Sequence, residues 1–178
     1  MCFATKRFST SLVTTHLPLA KVPRAITARA VATAICALAE LLLKLSRGKT
    51  PKIAVCSLNP HAGESSLLGH EESKAILPGI VQAKRRVKGV ELLGPIGAET
   101  AYRKAHAGVY QGIVAMYHDQ ATIPTKLIAF GEAVNVTWGL SVVRTSVDHG
   151  TGYDIAWTGK ASDKGMLSAI ALAQRLIV

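Results

Sequence analysis

The sequence predicts an α/β protein in which a largely parallel sheet is flanked by helices. Short apolar, β-branched runs of strand length recur along the chain, the clearest at residues 53–58 and 112–117. Near-continuous apolar strands are typical of parallel sheets that are covered on both faces. Longer segments with helical character separate these runs, and the alternation of strands with helices is the pattern of an α/β fold.

The composition fits one globular domain with a basic surface. The chain has 178 residues, of which 49% are hydrophobic, and this supports a sizeable core. The net charge is +10, but the basic residues are scattered and only 5% of residues are aromatic. No nucleic-acid-binding motif is present, so we expect no nucleic-acid partner. A small anionic substrate explains part of the positive charge equally well.

The cysteines and the apolar segments favour a cytoplasmic protein without a membrane span. The three cysteines are odd in number and widely spaced, which favours reduced thiols over a disulfide framework. The first ten residues lack the apolar core of a signal peptide. The most apolar run, residues 25–45, is interrupted by Arg29 and Glu40 and therefore reads as a buried helix.

The first third of the chain is predicted to contain an irregular start, a strand and a long helix. Residues 1–10 are basic and are expected to be irregular, and the α/β domain is expected to span 11–178. A strand is predicted at 12–15, and a helix at 24–45 with Pro23 at its first turn. This helix is apolar nearly all round and must be covered, either by a subunit interface or by the interior of a larger protein.

The remainder of the chain continues the alternation of strands and helices. A strand at 53–58 is followed by a helix at 71–88, which has acids in its first turn and bases in its last, as the helix dipole favours. Pro78 is expected to kink that helix. The other predicted elements are a strand at 90–93, a helix at 99–107, strands at 112–117, 133–137 and 142–145, and a helix at 163–177.

Three histidines follow three of the predicted strands, and they suggest a metal site. They are His16, His61 and His118. Ligands of open α/β sheets bind outside the carboxyl ends of the strands, so these side chains could converge. Three protein ligands with an open position are the pattern of a catalytic metal site, whereas histidines without a ligand role are the alternative. The donor set suits Zn²⁺ or Co²⁺, with Mg²⁺ and Mn²⁺ as alternatives.

Two acids that flank histidines, and three charged or polar residues in the last third of the chain, are candidates for catalysis and substrate binding. Asp119 and Asp148 each adjoin a histidine, and either could orient an imidazole, act as a base, or simply cap a loop. Arg144 ends an apolar strand, where its charge favours an anionic partner. Lys126 and Asn135 lie in the same third of the chain, and a plain surface role is the alternative for Lys126.

A glycine-rich stretch could bind a nucleotide cofactor. His149, Gly150 and Thr151 follow a predicted strand, and glycines let a ligand approach the backbone. The stretch contains neither a Gly-x-Gly-x-x-Gly motif nor a P-loop, so from its chemistry alone turn-forming glycines are the simpler interpretation.

Five segments together resemble the 4-hydroxythreonine-4-phosphate dehydrogenase family of pyridoxal phosphate biosynthesis. They occur in the order found in the family and include LVTTHLPL, CSLNPHAGE and AMYHDQ. The stretch DIAW-x-GKA near the end is also similar to paralogues that oxidise 4-phospho-D-threonate or 4-phospho-D-erythronate. The resemblance implies the second domain of the isocitrate and isopropylmalate dehydrogenase-like fold. The matching segments are 12–19, 56–64, 115–120, 134–137 and 144–151.

The resemblance implies a role for each candidate residue. The three histidines would bind a divalent metal, contributed from both subunits of a homodimer, and Lys126, Asn135 and Arg144 would contact the substrate. The stretch 149–151 would bind NAD or NADP, with Asp119 and Asp148 as catalytic candidates. The implied reaction is NAD-dependent oxidation, with decarboxylation, of 4-phosphohydroxy-L-threonine.

Two departures from the family leave other functions open. The family is about twice as long as this chain, the resemblance covers its second half, and residues 1–9 do not resemble it. The alternatives are therefore a 4-phospho-D-threonate or erythronate dehydrogenase, and a non-catalytic remnant that dimerises and binds metal.

Overall fold

A computed structural model describes residues 1–46 and 48–177 as one α/β unit. Its strands are β1 (Cys2–Ala4), β2 (Ser9–Leu12), β3 (Lys52–Cys56), β4 (Glu91–Ile96), β5 (Gly112–Ala115), β6 (Val134–Thr137) and β7 (Arg144–Val147). Its helices are α1 (Val22–Ala25), α2 (Ala28–Leu45), α3 (Leu77–Arg86), α4 (Ala98–His106), α5 (His118–Ala129) and α6 (Lys164–Ile177).

The strands form one mixed sheet in the order β4-β3-β5-β2-β1-β6-β7. The pairs β3–β4, β3–β5 and β2–β5 are parallel, whereas β1 is antiparallel to both β2 and β6, and β7 is antiparallel to β6. Five of these strands therefore run in one direction, and the largely parallel α/β prediction is confirmed. Helices α2, α3 and α6 cover one face of the sheet, and α4 and α5 cover the other.

The prediction that residues 1–10 are irregular is wrong. Cys2–Ala4 and Ser9–Leu12 are strands, and every residue in them is buried. The basic residues that suggested disorder lie in the connecting turn, which the Thr5 hydroxyl group closes by donating to the Phe8 carbonyl oxygen over 2.8 Å. β1 is ordered because it pairs on both sides, with β2 and with β6, and a sequence window does not reveal such long-range pairing.

The long apolar helix is divided, and its apolar surface is covered within the chain. Helices α1 and α2 meet at 91°, because Ile26 and Thr27 are extended and the Thr27 hydroxyl oxygen accepts from Ala30 N at the start of α2. Buried α2 side chains such as Ile35 and Leu38 pack against the sheet and α3, so α2 is an interior helix. No single helix in the described parts of the chain is long and apolar enough to cross a membrane, and only this bent pair meets the criteria of length and composition.

Two helical features differ from the sequence prediction. Helix α5 was not predicted, because Pro124 lies inside it and its buried face contains Thr122 and Thr125, which are poor helix formers. Tertiary packing of that face against the sheet outweighs the weak propensity. The predicted kink at Pro78 is accommodated by a π-helical turn, Glu72–Ile76, immediately before α3.

The last predicted strand is displaced, and this affects the candidate site. β7 spans Arg144–Val147 rather than residues 142–145, and it forms an antiparallel pair with β6. Arg144 therefore begins β7 beside Thr137, at the carboxyl end of β6, and Asp148 follows the other end of the strand.

Candidate metal centre at the carboxyl edge of the sheet

The three candidate histidines all follow the carboxyl ends of parallel strands. His16 follows β2, His61 follows β3, and His118 is the first residue of α5, just after β5. Because β2, β5 and β3 are neighbours in the sheet, the loops that carry these histidines emerge at one edge. This is the edge where ligands bind in open α/β sheets.

His16 and His118 form a close pair. Their ring centres are 5.5 Å apart and the ring planes are inclined by 44°. Two imidazoles that bind one ion through metal–nitrogen bonds of about 2.0–2.1 Å place their ring centres roughly 5 Å apart at a tetrahedral angle. The measured separation therefore fits a shared divalent ion, and imidazole is a suitable donor for Zn²⁺ or Co²⁺.

A neighbouring carboxylate orients the His118 ring. Asp119 Oδ1 lies 2.7 Å from His118 Nδ1, and Thr122 Oγ1 lies 3.4 Å from the same nitrogen. A carboxylate can only accept, so in the neutral imidazole Nδ1 carries the proton and Nε2 keeps its lone pair. This arrangement is the usual second interaction of a metal-binding histidine. Asp119, one of the two catalytic candidates, is thus held against the ring.

His61 is not brought together with the other two histidines. It lies on an exposed turn, Pro60–Gly63, with φ 50° and ψ 31°. Within residues 1–46 and 48–177, no three histidine, cysteine or acidic side chains form a group that could hold a metal. One chain therefore supplies a pair of imidazoles, and the third ligand stays a prediction.

Two residues that the sequence analysis did not single out fix the strand ends beneath the histidines. The Gln120 amide donates from Nε2 to Ser57 O over 2.9 Å and accepts from Met116 N over 2.7 Å, so it joins the ends of β3 and β5. The Glu72 carboxylate accepts from the backbone of Leu58 and Asn59. The sequence signals were weak. Gln120 is an amide shortly after an apolar run, and Glu72 is an acid beside a glycine-bearing loop, and neither position identifies the distant partner.

The three predicted substrate-binding residues have different environments. Arg144 is exposed at the carboxyl edge, where Nη1 donates to Thr137 Oγ1 over 2.9 Å and leaves the other guanidinium donors for an anion. Asn135 lies on β6, and its Oδ1 is buried without a protein partner among the described residues. Lys126 is half-buried on α5. The binding roles of all three stay predictions.

The second catalytic candidate and the predicted cofactor stretch lie at the opposite edge of the sheet. Asp148, His149, Gly150 and Thr151 follow Val147, which pairs with the first residue of β6. His149 Nδ1 lies 2.8 Å from Gly150 O, and a Cβ added to Gly150 would meet open space. The loop offers accessible backbone to a cofactor, but the length of β7 separates it from the histidine pair.

A cleft of about 650 Å³ also lies at this opposite edge. Its wall includes Phe8 and Leu42, and its rim includes Lys6, whose ammonium group pairs with the Glu132 carboxylate at 2.7 Å. This ion pair lowers the pKa of Glu132. None of the predicted site residues lines the cleft, so its size does not identify it as the candidate site.

Comparisons with known proteins converge on one family. The family model of the pyridoxal phosphate biosynthetic protein PdxA matches residues 1–173, so the expectation that residues 1–9 fall outside the family is wrong. The chain is 44% identical to 4-hydroxythreonine-4-phosphate dehydrogenase of Geobacter metallireducens, covering 99% of this chain and 51% of that protein. It is 43% identical to D-threonate 4-phosphate dehydrogenase of Salmonella typhimurium, covering 99% and 53%.

The solved structures agree with this result. The structure of 4-hydroxythreonine-4-phosphate dehydrogenase from Klebsiella pneumoniae matches with a TM-score of 0.82 and 39% identity, covering 99% of this chain and 53% of that one. The chain thus spans about half the length of the relatives that it matches.

Proposed function

This chain belongs to the family of the pyridoxal phosphate biosynthetic protein PdxA, and from that premise we propose that it acts in the NAD-dependent oxidation of a phosphorylated hydroxy acid. Its relatives are named as dehydrogenases of 4-hydroxythreonine 4-phosphate or of D-threonate 4-phosphate. The observation that carries the proposal is the His16–His118 pair, whose ring separation of 5.5 Å suits one divalent ion.

The proposed metal site contains His16 and His118 of one chain and His61 of a second copy. The separation of His61 from the other two within a single chain supports this division, because a three-histidine site then requires another chain. The bound ion would act as a Lewis acid that polarises the hydroxyl and carboxylate groups of the substrate. Asp119 would keep the proton on His118 Nδ1 and direct Nε2 to the ion.

Arg144 would anchor the anionic end of the substrate. Its guanidinium lies at the same edge of the sheet as the histidine pair, and a planar guanidinium binds phosphate or carboxylate with two parallel hydrogen bonds. Lys126 would add a positive charge, and Asn135 would offer an amide whose buried Oδ1 has no partner in the described protein. These residues would orient a phosphorylated acid against the metal site.

The proposed reaction balances with NAD⁺ as the acceptor. The substrate loses a hydride from its carbinol carbon and a proton from its hydroxyl group; NAD⁺ takes up the hydride, and the proton is released to solvent. The product from 4-phosphohydroxy-L-threonine is a β-keto acid, which loses CO₂ because its new carbonyl group accepts the released electrons. The exposed backbone of Gly150 and Thr151 would bind a part of the cofactor away from the reacting centre.

An exposed apolar stripe on α5 and the residue that follows it supports a homodimer. Ile123, Leu127 and Phe130 recur at helical spacing and are 57%, 82% and 83% exposed. They point away from the buried face of α5, and soluble monomers seldom expose contiguous apolar surface of this kind. A second copy that covers this stripe, on the helix that His118 begins, would also bring in the third metal ligand. Helix α2 is buried within the chain and is not available for this contact.

Turnover measurements test the proposal and separate its alternatives. The 178-residue chain is incubated with NAD⁺, Co²⁺ or Zn²⁺, and either 4-phosphohydroxy-L-threonine or 4-phospho-D-threonate, and NADH is followed by absorbance. We expect NADH formation that His118→Ala abolishes and His106→Ala, a change of an exposed histidine on α4, leaves intact. Turnover of 4-phospho-D-threonate alone would favour the paralogue activity. No NADH with either substrate would favour a non-catalytic remnant.

A further inference from the structure

A buried carboxylate organises the loop that carries His61. The Glu72 residue is 5% exposed, and it makes no salt bridge within the described parts of the chain. An isolated buried charge is costly unless hydrogen bonds satisfy it. Its Oε1 accepts from Leu58 N over 2.9 Å and from Asn59 N over 2.8 Å, and its Oε2 accepts from Asn59 Nδ2 over 2.9 Å. All three donors belong to the segment just before His61.

The same hydrogen-bond network closes the loop at its other end. Asn59 Nδ2 also donates to Glu71 Oε2 over 2.7 Å, and that oxygen accepts from His70 N over 3.1 Å. Asn59, Glu71 and Glu72, which we call the brace, therefore join the start of the loop to its end. A Cβ on Gly63 would lie 2.9 Å from Glu72 Oε2, so the loop is closely fitted to the brace.

The loop needs this support because its backbone is unfavourable. Five non-glycine residues have positive φ, from 40° to 76°, and L-residues rarely adopt this conformation. Such conformations persist where the surrounding structure determines them. The five residues are His61, Ala62, Glu64, Ser65 and Ser66.

The brace is also connected to the strand that leads to His118. Ser57 O, which immediately precedes the braced segment, accepts from Gln120 Nε2, and Gln120 Oε1 accepts from Met116 N. Gln120 thus links the start of the His61 loop to the end of β5. A disturbance at Glu72 should move His61 while leaving the sheet intact.

We propose that Glu72 is a positioning residue for His61, holding its loop in the conformation that presents the imidazole at the carboxyl edge. The consequence for metal affinity rests on the proposed metal site, whereas the consequence for the loop does not. Glu72→Gln is the sharpest change, because it keeps the side-chain shape and an oxygen for the two backbone donors. It turns an N–H₂ group towards Asn59 Nδ2, and two donors then face each other.

The test measures the metal-free full chain first. Amide hydrogen exchange and the NMR signals of the His61 ring are compared among the wild type, Glu72→Gln and two controls. Ile80→Val shortens a buried side chain on α3 and destabilises the fold without touching the brace, and Glu99→Gln removes an exposed carboxylate. We expect faster exchange across 58–70 and shifted His61 signals in Glu72→Gln alone, with the amides of β3 and β5 still protected.

Titration with Co²⁺ then connects the loop to the proposed site. We expect Glu72→Gln to weaken binding by about 10- to 100-fold, the usual effect of losing a residue that supports a metal ligand, and Ile80→Val to bind as the wild type does. Unchanged exchange and His61 signals in Glu72→Gln, or equal changes in Ile80→Val, would overturn the positioning role. A wild type that binds no Co²⁺ would contradict the proposed metal site, while exchange and the His61 signals would still decide the role of Glu72.

Discussion

His118 and His61 follow neighbouring strands, but they are held in contrasting ways. His118 opens a helix, and Asp119 and Thr122, which orient its ring, lie within its own first turns. His61 lies on a left-handed turn, and the residue that holds its loop, Glu72, begins the next helical segment. The first histidine is positioned by regular secondary structure and the second by a hydrogen-bond network that spans the loop.

This contrast suggests a division of roles between the two loops. At the start of α5, the Asp119 carboxylate orients the His118 imidazole next to His16. A closely supported loop can extend its histidine away from the parent chain, where it can meet a second copy. The proposed metal site therefore uses a close pair of imidazoles from one chain and a loop histidine from the other, and variants of each loop test this asymmetry.

The largest effect is expected from removing either histidine. His61→Ala and His118→Ala should each weaken Co²⁺ binding by more than about 100-fold, because each leaves two protein ligands where a catalytic site with one open position has three. An equal mixture of the two variants, allowed to exchange subunits, should recover about one quarter of the wild-type capacity, since each mixed dimer has one intact site. The measurement is Co²⁺ bound per chain, by absorbance.

Recovery in that mixture depends on how the ligands are divided between chains. If all three histidines came from the same chain, no mixture of the two variants could contain an intact site. A mixture without recovery, from variants that still exchange subunits, would therefore contradict the shared site.

The fold could be predicted from the sequence wherever the relevant interactions are local. Apolar strand runs and helical periodicity identified β3, β5 and α6. A strand that is buried on both faces, or a helix that is buried along one stripe, leaves a pattern of apolar residues in a short stretch of sequence. β1 was missed because three residues become a strand only by pairing on both sides. Helix α5 was missed because packing outweighs the unfavourable propensity of Pro124.

The same distinction between local and long-range interactions separates the parts of the candidate site that the sequence predicts from those that it does not. The strand-end rule correctly brought His16 and His118 to one edge, where their rings are close. It did not indicate that His61 stands apart, since a left-handed turn depends on contacts with Glu72 and Asn59 that sequence spacing does not reveal. The antiparallel direction of β7 carries Asp148, the other catalytic candidate, to the opposite edge, and sequence spacing does not reveal that direction.

Gly69→Ala should disturb the His61 loop and leave the His118 turn intact. Gly69 has φ 133°, and an added Cβ would overlap Asn59 Nδ2 and lie 2.8 Å from Glu71 Oε2, so the brace would have to open. We expect a loss of about 1–3 kcal/mol in the free energy of unfolding, measured by chemical denaturation. Gly108→Ala is the control, because its φ of 82° carries backbone strain but open space surrounds it. Equal losses in both variants would show that the contact with Asn59 is unimportant.

A smaller effect is expected from the residue that orients His118. Asp119→Ala should weaken Co²⁺ binding by about 10-fold, the lower end of the usual range for such residues, because Asp119 is well exposed. The Co²⁺ affinity of Asp119→Asn should lie between that of Asp119→Ala and that of the wild type, since the amide oxygen still accepts from His118 Nδ1. Glu99→Ala, on the exposed first turn of α4, is the control. Wild-type affinity in Asp119→Ala would mean that the helix start alone fixes the ring.

The smallest effect is a pH dependence of the brace. The hydrogen bond from the Asn59 side chain, together with backbone N–H donors, lowers the pKa of Glu71 below its ordinary value of 4.5. A carboxyl group with a lowered folded-state pKa stabilises the fold above its unfolded-state pKa, and this contribution is lost as the pH falls through the lower, folded-state value. The free energy of unfolding of the wild type should therefore exceed that of Glu71→Gln near neutral pH, with the difference shrinking on acidification.

Denaturant titrations from about pH 7 to about pH 3 would measure this difference, and the interval below about pH 5 is decisive because ordinary histidines are already protonated there. Amide exchange at 58–70 should show the same dependence, because protonated Glu71 no longer accepts as strongly from Asn59 and His70. A constant difference between the wild type and Glu71→Gln over the whole range would mean that shape and not charge closes the loop. In that case the contrast between His61 and His118 would rest on the buried Glu72 carboxylate alone.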